Sequence, residues 1–283
     1  MSDIACTLSA LFVHPVKSCA GLSPADSRLV ETGLEYDREW MLVDTEGTML
    51  TQRRHPRMAL IQPAFKGGEL VLRAPGMLQL YLSLEAVEAP TRARVWDDEV
   101  PAWDMGDLAA LWCSNFLDVP ARLVRFDPDH RRLSSPVWAG EIEALNAFAD
   151  GFPLLLANTA SLDDLNLRLA ARGVAPVEMA RFRPNLVVSG LEAYDEDLIE
   201  EISFAAEGGP VRIRLVKPCA RCTIPNVDLT TAAVGTEPLD TLSGYRADAS
   251  VGGGITFAMN AVVVEGFGLR LRVGQKGSAI FRF

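Results

Sequence analysis

Apolar positions along the first hundred residues come in short, partly β-branched runs. Leu8–Val13, Trp40–Val43, Met58–Ile61 and Leu70–Leu72 are each too brief for a helix and are predicted as strands. Thr45-Glu46-Gly47 and Lys66-Gly67-Gly68 separate them as turns. That rhythm predicts a small antiparallel barrel or sandwich. The period then lengthens. Leu108, Leu111, Trp112 and Phe116 fit one face of a helix over Asp107–Phe116, with Asp104 or Asp107 near its start. Arg122–Phe126 reads as a strand, and the polar segment to Leu133 reads as an exposed loop carrying Pro128 and Arg131. The clearest helix spans Ser161–Arg172: Ser161 as cap, Asp163 and Asp164 in the first turn, a Leu162/Leu165/Leu169 stripe, and Gly173 as the stop. Strands return at Asn185–Ser189, Val211–Val216, Ala261–Val264 and Leu269–Val273. The fold class is mainly β with some α (α+β), in two segments, 1–126 and 127–283, with the break falling within 127–148.

Charge narrows the choice of partners. The chain carries 27 Lys and Arg against 37 Asp and Glu, a net charge of −10 in 283 residues. It lacks the overall basic footprint of a nucleic-acid or anionic-membrane binder. No apolar run approaches the ~18–20 residues of a membrane span. The N-terminus, with Asp3 before its apolar part, reads as a first strand and not a secretory leader. Five thinly spread cysteines argue against a disulfide framework, so a cytoplasmic location is expected.

Four stretches carry candidate chemistry. "KPCARCTIPNVD", Lys217–Asp228, holds Cys219 and Cys222 three apart between prolines. Structural zinc needs four N or S ligands, and no further pair is spaced to help. A redox dithiol of the thioredoxin type expects the start of a helix, which Pro218 and Pro225 oppose. A buried, inert pair and a single thiolate binding a soft or high-valent metal also stay open. Arg221 is expected to lower the pKa of Cys222 by its charge. In "ARFRPNLVVSG", Arg183 is either a solvated strand-entry residue or an anion anchor, and Asn185 can read amide-like edges. In "HPVKSCAG", Lys17 and Ser18 lie at a strand end; in "YDREWMLVD", Arg38 stands between two acids. Either pair of settings is common on ordinary surfaces.

Taken in order, these stretches resemble the MOSC family, the molybdenum cofactor sulfurase C-terminal domain, and within it the amidoxime-reducing subgroup. "HPVKSCAG", "LEYDREWMLVD" and "GTMLTQRRHPRMALI" are similar to that subgroup's N-terminal β-barrel extension. "FRPNLVVSG", "KPCARCTIPNVD", "TEPLDTL" and "GYR" are similar to the MOSC core. The resemblance implies a MOSC-type β-barrel core after the extension, and a molybdenum cofactor (Mo-molybdopterin) whose metal takes Cys222. It implies that Lys17, Ser18, Arg38, Arg183, Asn185, Ala220, Arg221 and Asn260 hold the pterin and its phosphate. Some members have hydroxyl residues at the segment matching Gly151 and Phe152, which this chain lacks, and Leu-Thr-Thr-Ala follows Asp228 where many relatives have Pro-Asp-Thr-Gly.

The implied reaction is two-electron reduction of N-hydroxylated compounds: amidoximes, hydroxylamines or N-hydroxylated nucleobases. It needs protons, and Asp228 is the candidate donor, with an Asx-turn as its ordinary alternative. An iron–sulfur centre needs four cysteines, and none follows Cys222. Electrons are therefore expected from an external electron-transfer protein, ferredoxin-like or a flavin reductase. Two other readings predict differently: a cofactor or sulfur carrier without turnover, and a zinc-stabilised interaction module.

Overall fold

The structure, a computed structural model, describes residues 4–282. In chain order the strands of the first part are β1 (Ile4–Leu11), β2 (Asp26–Val30), β3 (Gly33–Leu34), β4 (Trp40–Val43), β5 (Gln62–Lys66), β6 (Glu69–Arg73), β7 (Leu80–Ser83), β8 (Ala89–Val95) and β9 (Asp98–Asp104). Helix α1 (Asp107–Leu117) and β10 (Arg122–Phe126) follow. The second part holds α2 (Pro136–Ala139), β11 (Leu154–Asn158), α3 (Thr159–Ala171), β12 (Leu186–Ser189), β13 (Ile199–Ala206), β14 (Gly209–Ala220), α4 (Leu239–Ser243), β15 (Ala247–Asp248), β16 (Gly254–Glu265), β17 (Arg270–Arg272) and β18 (Lys276–Phe281).

A closed 7-strand barrel dominates, in the order β11-β12-β1-β18-β13-β14-β16, closed by antiparallel pairing of β16 with β11. Closure removes the free edges that an open sheet would expose. Inward side chains such as Leu8, Leu156, Val188, Ile202, Ile213, Met259 and Ala279 form its core. Strand β1, from the start of the chain, is one of its staves and pairs with both β12 and β18. The barrel thus takes a strand from before the expected boundary at 126/127.

Of the remaining N-terminal strands, β2 and β3 pair with β17 in a small sheet, and the others build two more, β4-β10-β9-β8 and β5-β6-β7. Trp40, Leu42, Leu70, Leu72, Leu123 and α1 residues Trp112, Cys113 and Phe116 fill the core they share. Phe148, from the connection to the barrel, joins a further cluster behind this region with Met41, Val100 and Phe126.

Several local expectations shift. Met58–Ile61 is not a strand: Pro56, with its fixed φ, starts a 3-10 turn over Pro56–Leu60. Leu108 and Leu111 are exposed; α1 buries Ala109, Trp112, Cys113 and Phe116, a face rotated from the expected one. Helix α3 begins earlier, because Asn158 accepts from the Ala160 N–H at 3.2 Å and is the true cap. Ser161 sits one turn inside and is fully buried.

Candidate functional site

One cleft of about 280 Å³ opens between the barrel and the N-terminal sheets. Its lining brings together Lys17, Ser18, Arg38, Arg183, Asn185, Ala220, Arg221, Cys222 and Asn260, residues from five separated stretches of the chain. Asp228 is not part of that lining.

The floor is built by backbone that ordinary residues seldom adopt. Ser18 (φ 66°), Arg38 (φ 53°) and Arg183 (φ 57°) are all left-handed without being glycine. Such conformations persist where surrounding contacts over-determine them, and they concentrate at functional sites. Here those contacts are visible. The Arg38 amide donates to the His14 carbonyl at 2.8 Å, and its guanidinium reaches Asn185 Oδ1 and the Arg183 carbonyl, both at 3.1 Å. It also pairs with the buried Asp37 carboxylate. Asn185 Oδ1 further accepts from the Leu155 amide at 3.1 Å, and its amide donates to the Phe12 carbonyl at 3.2 Å. Asn185 is therefore largely spent on holding β1, β11 and the strand entrance together. Its position in the lining adds at most one free N–H.

Electrostatics make the cleft an anion receiver. Its lining includes Lys17, Arg38, Arg53, Arg183, Lys217 and Arg221, against a single carboxylate, Asp150. Arg183 is 9% exposed; burial first, then the like charge of Arg38, depresses its pKa to about 10. It stays charged at neutral pH. One arm donates to the Cys19 carbonyl, while Nη2 is buried without a partner. Lys17 is also buried, and burial lowers its pKa against the opposing pull of Asp150; it donates to that carboxylate and to the Phe148 carbonyl at 2.7 Å. Buried cations with unspent donors are costly unless an anion completes them.

The motif loop leaves one cysteine free. Strand β14 ends at Ala220, and two register breaks in its pairing with β16 bracket Lys217 and Pro218, just before Cys219. Bulges of this kind re-aim side chains beside functional sites. Arg221 donates to Cys219 Sγ at 3.0 Å and to the Phe182 carbonyl at 2.8 Å. The guanidinium expected to act on Cys222 thus spends its hydrogen bonds on Cys219 and the backbone. Cys222 faces the cleft as a free thiol. Among the described residues, no group of three or more His, Cys, Asp or Glu is placed to hold a metal ion, so the four-ligand zinc site is not built.

Asp228 takes its ordinary alternative. Its Oδ1 accepts from the amides of Thr230 and Thr231 at 3.0 and 2.8 Å and from both hydroxyls, and Oδ2 pairs with Arg181 at 3.1 Å. These hydrogen bonds, Thr230's foremost, hold the carboxyl well below the usual carboxylate range. It anchors an Asx-turn outside the cleft lining. The Leu-Thr-Thr-Ala that follows it supplies the two threonines.

Two cleft cations escaped the sequence reading. Arg53 sits in "TQRRHPR", which looks like a solvated basic run. Lys217 opens the cysteine motif but has no spacing signal of its own.

Comparison with known proteins agrees with this layout. The family described as MOSC N-terminal beta barrel domain matches residues 5–120, and the MOSC domain matches residues 144–278. The chain is 36% identical to the mitochondrial amidoxime reducing component 2 of Rattus norvegicus, over 85% of this chain and 72% of that protein. This chain belongs to the MOSC-domain family, in the amidoxime-reducing-component-like subgroup. The human mitochondrial amidoxime-reducing component 1 is 35% identical over the same shares, 85% and 72%. Among solved structures, the YUAD protein from Bacillus subtilis aligns over 100% of this chain and 99% of its own at 10% identity, with a TM-score of 0.43. In MOSC terms, the cleft lies where the barrel meets the N-terminal extension, and both parts line it: Lys17, Arg38 and Arg53 from the extension, Arg183, Lys217 and Cys222 from the core.

Proposed function

We propose that this MOSC protein is an oxidoreductase that reduces small N-hydroxylated compounds at a molybdenum cofactor held by Cys222. The observation that carries the reading is the cleft itself: a free thiol beside a buried, partly unpartnered cluster of cations in a chain of net charge −10. A polyanionic pterin phosphate with a thiolate-seeking metal suits that donor set. Arg183 Nη2 offers an open donor of the required charge, and a soft sulfur suits molybdenum. When bound, the cofactor supplies the two-electron redox chemistry that N–O reduction needs. The names of the related proteins, amidoxime-reducing components, support the same reaction class.

In this reading the chain's own residues divide the work. Arg183, Lys17 and Ser18 receive the phosphate; Arg38 keeps the Arg183 and Asn185 backbone in place; Cys222 fixes the metal. Overall, an N–OH group takes up two electrons and two protons to give N–H and water. Asp228 supplies neither proton, so they come from solvent reaching the open side of the cleft. The electrons come from an external electron-transfer protein, ferredoxin-like or a flavin reductase. The protein works in the cytoplasm, a placement supported by five free cysteines. No helix among the described residues is long and apolar enough to cross a membrane.

The test uses protein made in a molybdenum-cofactor-competent host. Benzamidoxime is reduced anaerobically with a chemical reductant, and molybdenum per chain is measured alongside. Wild type turns over; Cys222→Ala loses activity by at least a hundredfold and loses its metal. A metal-loaded wild type that never reduces benzamidoxime, even with strong reductant, identifies a cofactor or sulfur carrier instead.

A further inference from the structure

The cleft holds more positive charge than its buried floor uses. Arg38 is paired with Asp37, Lys17 with Asp150, and Arg221 is bonded to Cys219 and a carbonyl. Arg183 Nη2 and Arg221 Nε are the buried cleft donors left open. Arg53 and Lys217 are different. Both are half-buried and line the same cleft, and neither makes a salt bridge or side-chain hydrogen bond among the described residues. Each is instead laid over an indole: the Arg53 guanidinium 4.5 Å from the Trp96 ring centre, and the Lys217 ammonium 5.3 Å from that of Trp138.

An indole face steadies a cation without neutralising it. A carboxylate partner would cancel the charge; an aromatic partner leaves it available to a ligand. The Trp96 ring is itself fixed, since its N–H donates to Asp150 Oδ1 at 3.0 Å and Asp150 is held by Lys17. The chain Lys17–Asp150–Trp96–Arg53 thus runs from the buried floor to a partly exposed rim. On the barrel side of the same cleft, the register breaks of β14 present Lys217, whose carbonyl takes Asn260 Nδ2 at 3.3 Å. A protein of net charge −10 repels anions at long range, so two oriented, unneutralised cations in this basic cleft are a local exception.

The geometry points to Arg53 and Lys217 as specificity residues that select N-hydroxylated substrates bearing a carboxylate or phosphate. This rests on the function proposed above and narrows its substrate class. A charge-assisted contact discriminates by roughly tenfold or more. The anion's source is either an aromatic acid or a nucleotide; the shared chemistry is a planar N-hydroxylated group with an anionic tail.

The experiment uses the metal-loaded protein and two substrate pairs: benzamidoxime against para-carboxybenzamidoxime, and an N-hydroxylated cytidine against its monophosphate. The expected result is a kcat/KM about tenfold higher for the anionic member of at least one pair, falling as salt rises, with that pair naming the source. In the Arg53→Gln/Lys217→Gln double variant the ratio drops toward one, while molybdenum per chain stays at the wild-type level. Arg53→Lys, which keeps the charge, retains most of the preference. Equal kcat/KM within both pairs overturns the inference while leaving the reductase reading standing. So does a double variant that loses its molybdenum, because these cations would then belong to the cofactor's site. Equilibrium binding of the same four compounds reads the preference even in a protein without turnover, and equal affinities within both pairs overturn it there.

Discussion

Glu196 has no exposed surface. One carboxylate oxygen takes the Ser161 hydroxyl at 2.8 Å, and the other has no partner. Burial pushes its pKa up to about 7, from an ordinary 4.5. Between those two values the folded chain holds a proton that the unfolded chain has released. The favourable, protonated arrangement is complete below the unfolded value and is lost as pH rises through about 7; above both values the penalty is constant. Glu196→Gln keeps the shape and removes the charge. It is expected to be more stable than wild type at pH 8, by roughly 2–3 kcal/mol, and to lose that advantage by pH 4.5. Urea unfolding of both proteins at the two pH values measures it, and an advantage that does not change with pH counts against the buried charge. His14 titrates with the opposite sign. Burial and the charges of Arg183 and Arg38 lower it to about 3, so its contribution is whole above its ordinary pKa and fades as pH falls toward 3.

At the scale of elements, the connection from α2 to β11 is a loop held from beneath. Arg132 is buried; it donates to the Ala149 and Ala147 carbonyls at 2.6 and 3.1 Å and pairs with Asp98 at 2.8 Å. Asn146 ties the loop's end through the Gly151 carbonyl at 3.2 Å. This loop carries Phe148 and Asp150, the two acceptors of Lys17. Arg132→Leu leaves those carbonyls unpaired in a buried site, at a cost of about 3 kcal/mol. Hydrogen exchange is expected to speed up across 146–151 and to spare β13. Equal protection in the loop, alongside a lowered denaturation midpoint, shows that Arg132 is merely structural. Much of this was legible beforehand. The short apolar runs locate eight of the eighteen described strands, because alternation against a packed core is a local signal that the more polar strands lack. The Met58 segment departs from its strand-like pattern because a run of apolar residues after a proline looks the same in a strand and a 3-10 turn. The site's ordered motifs were readable; their geometry was not. Left-handed Ser18, Arg38 and Arg183 leave no mark in residue type, since glycine, the usual marker, is absent from all three. Arg132 looked like part of an exposed loop because its buried partners are backbone carbonyls, which no sequence pattern announces.

At the scale of the molecule, the barrel is completed by the chain's own beginning. Strand β1 lies between β12 and β18 and bonds to both, with Ile4 opposite Ala279 and Leu11 opposite Leu186. Its Cys6, Leu8 and Leu11 are core residues of the barrel. Removing it opens two strand edges at once and exposes that core, a loss no local repair offsets. Lys17, Ser18, Arg38 and Arg53 are lost from the cleft with the same segment. A fragment of residues 127–283 is therefore expected to lack a cooperative thermal transition and to aggregate, whereas the intact chain unfolds in one step with both parts coupled. Adding a separate chain of residues 1–126 should restore solubility and, with it, the cleft, because β1 then re-enters between β12 and β18. A fragment that melts cooperatively alone, with native near-ultraviolet dichroism, means that β1 is dispensable to the barrel; the two segments would then be independent units joined only at the cleft.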